Sequence, residues 1–274
     1  MKEKNIKLRI KFRKFGPLRF IGHLDVMRFF QKAIRRAEID VAYTGGFSPH
    51  QIMTFAAPLG VGLESNGEYM DIEVCSFTSC QDILDRLNGA SVPGIEVVSV
   101  KVLPDTAGNA MASVAAAAYT VAFRQGREPR TDIARALPGF LAKEKIPYTK
   151  ETKKGCRELD LKPGIYELTY SEAENDKTGM PFWDGKPFFH EKSFFHGKSF
   201  FHMLLDASSA GNIKPGQVIE AFLSENGEVL QENALLITRE ELYTNIGTEE
   251  EPRLVALSDI CNEDDIFMDK RYST

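Results

Sequence analysis

Residues 6–13, Ile6-Lys7-Leu8-Arg9-Ile10-Lys11-Phe12-Arg13, alternate without a break between apolar and basic side chains. A period of two belongs to a β-strand with one buried face. Ile6, Leu8, Ile10 and Phe12 are therefore expected in a core, with Lys7, Arg9, Lys11 and Arg13 on the opposite face. Gly16-Pro17 ends the strand, and Gly22-His23-Leu24-Asp25 opens a helix that continues to about Ala37. Val26, Met27, Phe30, Ala33, Ile34 and Ala37 recur at helical spacing and predict its buried side. Arg28, Lys32 and Arg35 form a basic stripe opposite, and Asp25 lies where a carboxylate complements the positive helix N-terminus.

Working outward, residues 52–57 and 68–74 read as strands joined across Pro58-Leu59-Gly60-Val61-Gly62-Leu63-Glu64-Ser65-Asn66-Gly67, residues 78–87 as a helix and 95–102 as a closing strand, with a short extra strand at 39–43. The order strand, helix, strand, strand, helix, strand is the split-βαβ, ferredoxin-like pattern, in which helices cover one face of an antiparallel sheet. The second half has a similar order: strands at 119–123, 148–152, 165–170 and 202–206, with helices at 131–142 and 218–223. The fold class predicted is α+β, two ferredoxin-like (βαββαβ) units in tandem, each antiparallel sheet covered by helices on one face. The predicted domains are a basic 1–104, a linker 105–118 that could also form a short helix, a second unit 119–247 carrying an insertion at about 174–201, and an acidic tail 248–274 with a last apolar run at 254–257.

A chain of 274 residues, 43% hydrophobic and 27% charged, suits two globular domains and excludes a disordered or disulfide-dependent protein. Cys75, Cys80, Cys156 and Cys261 show no metal-ligand spacing and are expected as free thiols. The alternating N-terminus is not a secretory signal, and no run reaches the roughly 18 apolar residues of a membrane span, so a cytoplasmic location is expected. The net charge of −5 is unevenly spread: residues 1–36 carry twelve Lys or Arg against Glu3 and Asp25, a balance of +10, which leaves −15 on the rest. A segregated basic surface of this kind suits a polyanion or an acidic partner, and equally a solvated strand and helix face.

Lys186-Pro187-Phe188-Phe189-His190, Lys192-Ser193-Phe194-Phe195-His196 and Lys198-Ser199-Phe200-Phe201-His202 repeat every six residues. Six residues span about 20 Å of strand and turn about 240° on a helix, so neither element gathers the three imidazoles. The segment reads as an expanded hairpin or arm with an apolar Phe surface, and no metal is expected.

Two clusters combine polar side chains with permissive backbone. Arg19-Phe20-Ile21-Gly22-His23-Leu24-Asp25 sits at a strand-to-helix turn, where free N–H groups suit phosphate or carboxylate and His23 can bond a ligand or move a proton; the competing reading is a helix-capping turn. Tyr43-Thr44-Gly45-Gly46-Phe47-Ser48-Pro49-His50, followed by residues 58–65 and Glu68-Tyr69, offers adjacent glycines for close backbone approach, with Phe47 and His50 able to stack on a base. The competing reading is a tight loop anchored by Phe47 in the core. Candidate ligand-binding residues are thus Arg19, His23, Asp25, Arg28, Tyr43, Gly45, Gly46, Phe47, His50 and Glu68; candidate polyanion-binding residues are Lys7, Arg9, Lys11, Arg13, Lys32 and Arg35.

Residues 19–39, RFIGHLDVMRFFQKAIRRAEI, and 43–74, YTGGFSPHQIMTFAAPLGVGLESNGEYMDIEV, resemble the radical SAM-linked family, a domain of unknown function found beside or fused to cobalamin-binding radical SAM proteins. RELDLKPGIYEL and GNIKPGQVIEAF also resemble its later segments, whereas the Phe-Phe-His repeat looks like an insertion. The CxxxCxxC triad of a radical SAM cluster is absent from the sequence, so the resemblance is to a standalone accessory member that binds no cofactor and has a radical SAM protein as partner. Its expected role is non-catalytic, holding RNA or a ribonucleoprotein substrate on the basic N-terminal domain. Two other roles stand beside it. One is a metal-independent RNA-processing enzyme with His23 or His50 as general base and Arg28 or Lys32 stabilising charge. The other is a protein-interaction scaffold.

Overall fold

The computed structural model describes residues 5–152, 155–172, 182–183, 186–187, 198–248 and 251–261. Along the chain these form β1 (Ile6–Lys14), a 3₁₀ turn (Gly16–Phe20), α1 (His23–Arg36), β2 (Met53–Phe55), β3 (Glu64–Val74), α2 (Cys80–Gly89), β4 (Ile95–Val102) and α3 (Ala110–Ser113). Next come β5 (Ala116–Phe123), α4 (Ile133–Leu141), β6 (Pro147–Thr152), β7 (Gly155–Asp160), a second 3₁₀ turn (Lys162–Gly164) and β8 (Ile165–Ser171). After them follow β9 (Phe182–Trp183), β10 (Lys186–Pro187), β11 (Phe200–Asp206), α5 (Pro215–Glu225), β12 (Leu235–Asn245) and β13 (Leu254–Ala256). The architecture is mixed α+β, with strand pairing predominantly antiparallel. The chain divides into two compact units, residues 1–115 with 241–274, and residues 116–240, so the boundary falls within β12.

In the first unit, β1 lies between β4 and β3 and pairs antiparallel with both, while β2 pairs antiparallel with β3. The apolar half of the alternating strand does what its period requires: Leu8, Ile10 and Phe12 pack with Val26, Phe30 and Ile34 of α1, Met70, Ile72 and Val74 of β3, and Ile83 and Leu87 of α2. Phe30, fully buried and edge-on to Phe12 at 4.7 Å, contributes about 1.5–3 kcal/mol through burial alone. A bulge where Lys11 faces Ser99 and Phe12 faces Val97 lets both Val97 and Val100 of β4 turn into this core.

Both helices end on arginines supplied by each other. Arg36 of α1 donates to Ala90 O at 2.8 Å, and Arg86 of α2 donates to Ala37 O at 2.8 Å and to Glu38 O. Charged donors thus satisfy the carbonyls that a helix C-terminus leaves without partners. The expected strand at 39–43 is reduced to two isolated bridges, Val41 with Val74 and Tyr43 with Gln51.

The second unit has the strand order β12-β5-β11-β8, with β11 antiparallel to both β5 and β8. Phe140 of α4 meets Phe222 of α5 at 5.4 Å, and Phe201 of β11 lies 6.3 Å from Phe222, so both helices share an aromatic core with the sheet. The strand expected at 148–152 pairs with β7, a segment whose polar, exposed side chains show little alternation.

Residues 105–118 hold a short helix, α3, in which Ala110 is fully buried, and Ala116, Ala117 and Ala118 begin β5 with almost no exposed surface. The 11-residue β12 was not foreseen, because Arg239, Glu240 and Glu241 interrupt any apolar period, yet all three are buried. The apolar run near the C-terminus is β13, antiparallel to residues 243–245 of β12, and Leu257 beyond it is fully buried in the first unit. Near and within the Phe/His repeat, Phe182–Trp183 of β9 and Lys186–Pro187 of β10 form a small antiparallel pair and Phe200–His202 belong to β11; residues 173–181, 184–185 and 188–197 lie outside the described residues, as do 262–274.

Candidate functional site

The basic half of β1 meets carboxylates. Arg9, 1% exposed, donates to Asp71 from Nε at 2.8 Å and Nη2 at 2.9 Å, and to the carbonyls of Leu257 at 3.0 Å and Gly108 at 3.3 Å. Lys11 reaches Glu241 at 2.5 Å, and Glu241 also accepts the Tyr69 hydroxyl at 2.7 Å. Arg13 pairs with Glu96 at 2.9 Å and bonds Asn66 at 3.1 Å, while Lys7 is half-buried opposite Glu73 in the β1–β3 register. The alternation correctly separates core from non-core, but Arg9 is inaccessible to a ligand and Lys11 and Arg13 are neutralised within the fold. Burial, with the Glu241 carboxylate next in effect, pushes the Tyr69 phenol well above its ordinary range.

Helix α1 keeps its basic stripe in solvent. Arg28 and Asp25 are exposed and 3.4 Å apart, a pair contributing at most a few tenths of a kcal/mol, roughly 0.3–0.5. Lys32 and Arg35 are exposed as well. Leu24, 64% exposed, continues the same stripe one turn before Arg28.

The turn before α1 divides its residues. Arg19 stacks over the Phe20 ring at 5.0 Å, approaches Glu64 at 3.3 Å, and accepts Gly62 N–H on its carbonyl at 2.7 Å, which ties the 58–63 loop to this turn. His23 is half-buried with its ring edge-on to Phe55 at 5.3 Å. His50 is exposed and bonds Thr44 Oγ1 through Nδ1 at 3.1 Å. The two histidines therefore engage different partners. Glu68, expected at the start of the strand 68–74, is buried in β3 opposite Phe12.

Residues 43–51 form a closed hairpin. Thr44 N–H donates to His50 O at 2.9 Å, and His50 N–H donates to Thr44 Oγ1 at 3.1 Å. The tip carries Gly45, Gly46 and Phe47 into solvent; Gly46 has φ +100°, a value that favours glycine. Phe47 is 111% exposed relative to its reference state, so the core-anchor reading fails for it, and Tyr43 is 51% exposed.

One residue without any sequence signal connects hairpin and helix. Gln51, 7% exposed, donates from Nε2 to Gln31 O at 3.3 Å, and the same carbonyl accepts Arg35 Nε at 3.3 Å. The Arg35 guanidinium and the base of the hairpin thus converge on one oxygen. Gln51 Oε1 is buried and has no hydrogen-bond partner among the described residues.

Elsewhere, Cys75 and Cys156 are exposed free thiols, and Cys80 and Cys261 buried ones. Burial pushes the Cys261 thiol up to about 11. Among the described residues no group of three or more His, Cys, Asp or Glu is placed to hold a metal ion, and no helix is long and apolar enough to cross a membrane.

Residues 7–215 match a family described as an uncharacterized protein conserved in bacteria (DUF2344). No curated protein matches the chain.

Proposed function

The chain belongs to DUF2344, a family of uncharacterized proteins conserved in bacteria, and we propose that it is a non-catalytic accessory protein that holds RNA, or the RNA of a ribonucleoprotein, on its first unit for a radical SAM partner. The partner is implied by the sequence resemblance. RNA is favoured by an observation on the first unit: Arg35 and Gln51 meet on the carbonyl of Gln31, which sets the exposed cationic stripe of α1 beside the exposed aromatic hairpin. Cations that neutralise phosphates and aromatics that accept bases are the two components of RNA recognition.

We further read each unit as ferredoxin-like. The orders β4-β1-β3-β2 and β12-β5-β11-β8, each with a helix after its first and third sheet strands, support this reading; the β6–β7 hairpin and the 174–201 segment are then additions to the second unit. Binding is preferred to RNA cleavage because His23 sets its ring edge-on to Phe55 while His50 bonds Thr44, so the two imidazoles are held by different neighbours.

Titration of the full chain with labelled RNA at several salt concentrations tests the proposal. Contact through Arg28, Lys32 and Arg35 predicts a log–log salt slope of about −2 on single strands. Absence of binding at low salt refutes it. Intact RNA after prolonged incubation, and co-purification of a radical SAM protein that survives nuclease treatment, are the expected companion results.

A further inference from the structure

Resting on the RNA reading above, we propose that the Tyr43–Gln51 hairpin is a base-stacking site that selects single-stranded RNA over duplex, with the α1 stripe holding the adjoining phosphates.

Four features carry this. Phe47 and Tyr43, at the tip and the base of one hairpin, both present rings to solvent, at 111% and 51% exposure, where a base can reach them. A side-chain carbon built on Gly45 or Gly46 meets nothing within 4 Å, so the backbone beside Phe47 is open to a flat ligand. The base of the hairpin is closed by the Thr44–His50 bonds and seated on α1 through Gln51, so little conformational freedom remains to be lost when a base stacks. Finally, Arg28, Lys32 and Arg35 follow one another along the exposed side of α1, and Arg35 shares its acceptor with Gln51 at the foot of the hairpin.

Unstacked bases exist in single strands and loops, whereas a duplex offers an exposed ring these aromatics can cover only at its ends. The charge of the helix stripe attracts either form. Discrimination therefore belongs to the hairpin and general affinity to the helix.

The test uses the full chain and a fluorescent RNA of roughly 12 nucleotides, long enough for one stacking site and its flanking phosphates, presented alone and annealed to its complement. Phe47→Ala is expected to weaken single-strand binding about tenfold with an unchanged salt slope, and to leave duplex binding unchanged. Tyr43→Ala is expected to act in the same direction. Lys32→Ala is expected to weaken both forms and reduce the salt slope on the single strand by about 0.7. Because Phe47 is wholly exposed, its variant keeps the wild-type circular dichroism spectrum. Equal losses on both RNA forms, or wild-type binding by both aromatic variants, overturn the stacking site while the RNA reading survives. Absence of any RNA binding at low salt overturns both.

Discussion

Replacing Asp71 by Ala removes the counter-ion of a guanidinium that is 1% exposed. Asp71 accepts Arg9 Nε at 2.8 Å, Arg9 Nη2 at 2.9 Å and Ala110 N at 2.7 Å. Breaking one side of a buried pair costs about 3–5 kcal/mol, because the remaining charge stays desolvated. A buried N–H left without an acceptor adds about 1–3 kcal/mol. Two effects reduce the sum: Arg9 keeps the carbonyls of Leu257 and Gly108, and Asp71, itself 9% exposed, lies near enough to the surface for water to enter its place. The expected loss is therefore about 3 kcal/mol, a large part of a typical stability of roughly 5–15 kcal/mol. Urea unfolding followed by circular dichroism measures it. The double variant Arg9→Met, Asp71→Leu removes the buried charge altogether and is expected to lose less than Asp71→Ala alone. A loss below about 1 kcal/mol for Asp71→Ala, or a double variant that is the least stable of the set, refutes the assignment of this pair as a buried, mutually dependent unit.

The remaining predictions concern other groups. Tyr69 has a raised folded-state value, so its stabilising contribution is complete below the unfolded tyrosine value of about 10 and is lost as pH rises beyond it toward the folded value; phenolate absorbance should show one tyrosine ionising only with unfolding, and Tyr69→Phe should abolish that late step. An aromatic disulfide reagent at about pH 8 should label Cys75 and Cys156 rapidly and Cys80 and Cys261 only in denaturant, since burial holds Cys261 near 11. Gly94→Ala should cost about 2–3 kcal/mol in urea unfolding: Gly94 has φ +101°, and an added carbon would stand 2.8 Å from Phe15 O and 2.9 Å from Leu18 Cγ.

The amino-acid sequence determined β1 and α1 of the first unit through local periodicity. Alternation from Ile6 to Arg13 gave β1 its buried side, and the spacing of Val26, Phe30 and Ile34 gave α1 both its core face and its exposed stripe of Arg28, Lys32 and Arg35. These are properties of neighbouring residues on one element, so a period suffices. The tertiary structure alone decided which charges remain available. Arg9 finds Asp71 at a separation of 62 residues and Lys11 finds Glu241 at 230, and β12, which supplies Glu241, carries buried charges that erase its own period. Likewise Gln51 joins the hairpin to α1 through a carbonyl 20 residues earlier, a contact of the backbone that side-chain pattern does not encode. Period reports which way a side chain faces; what meets it there depends on where distant chain segments are brought by packing.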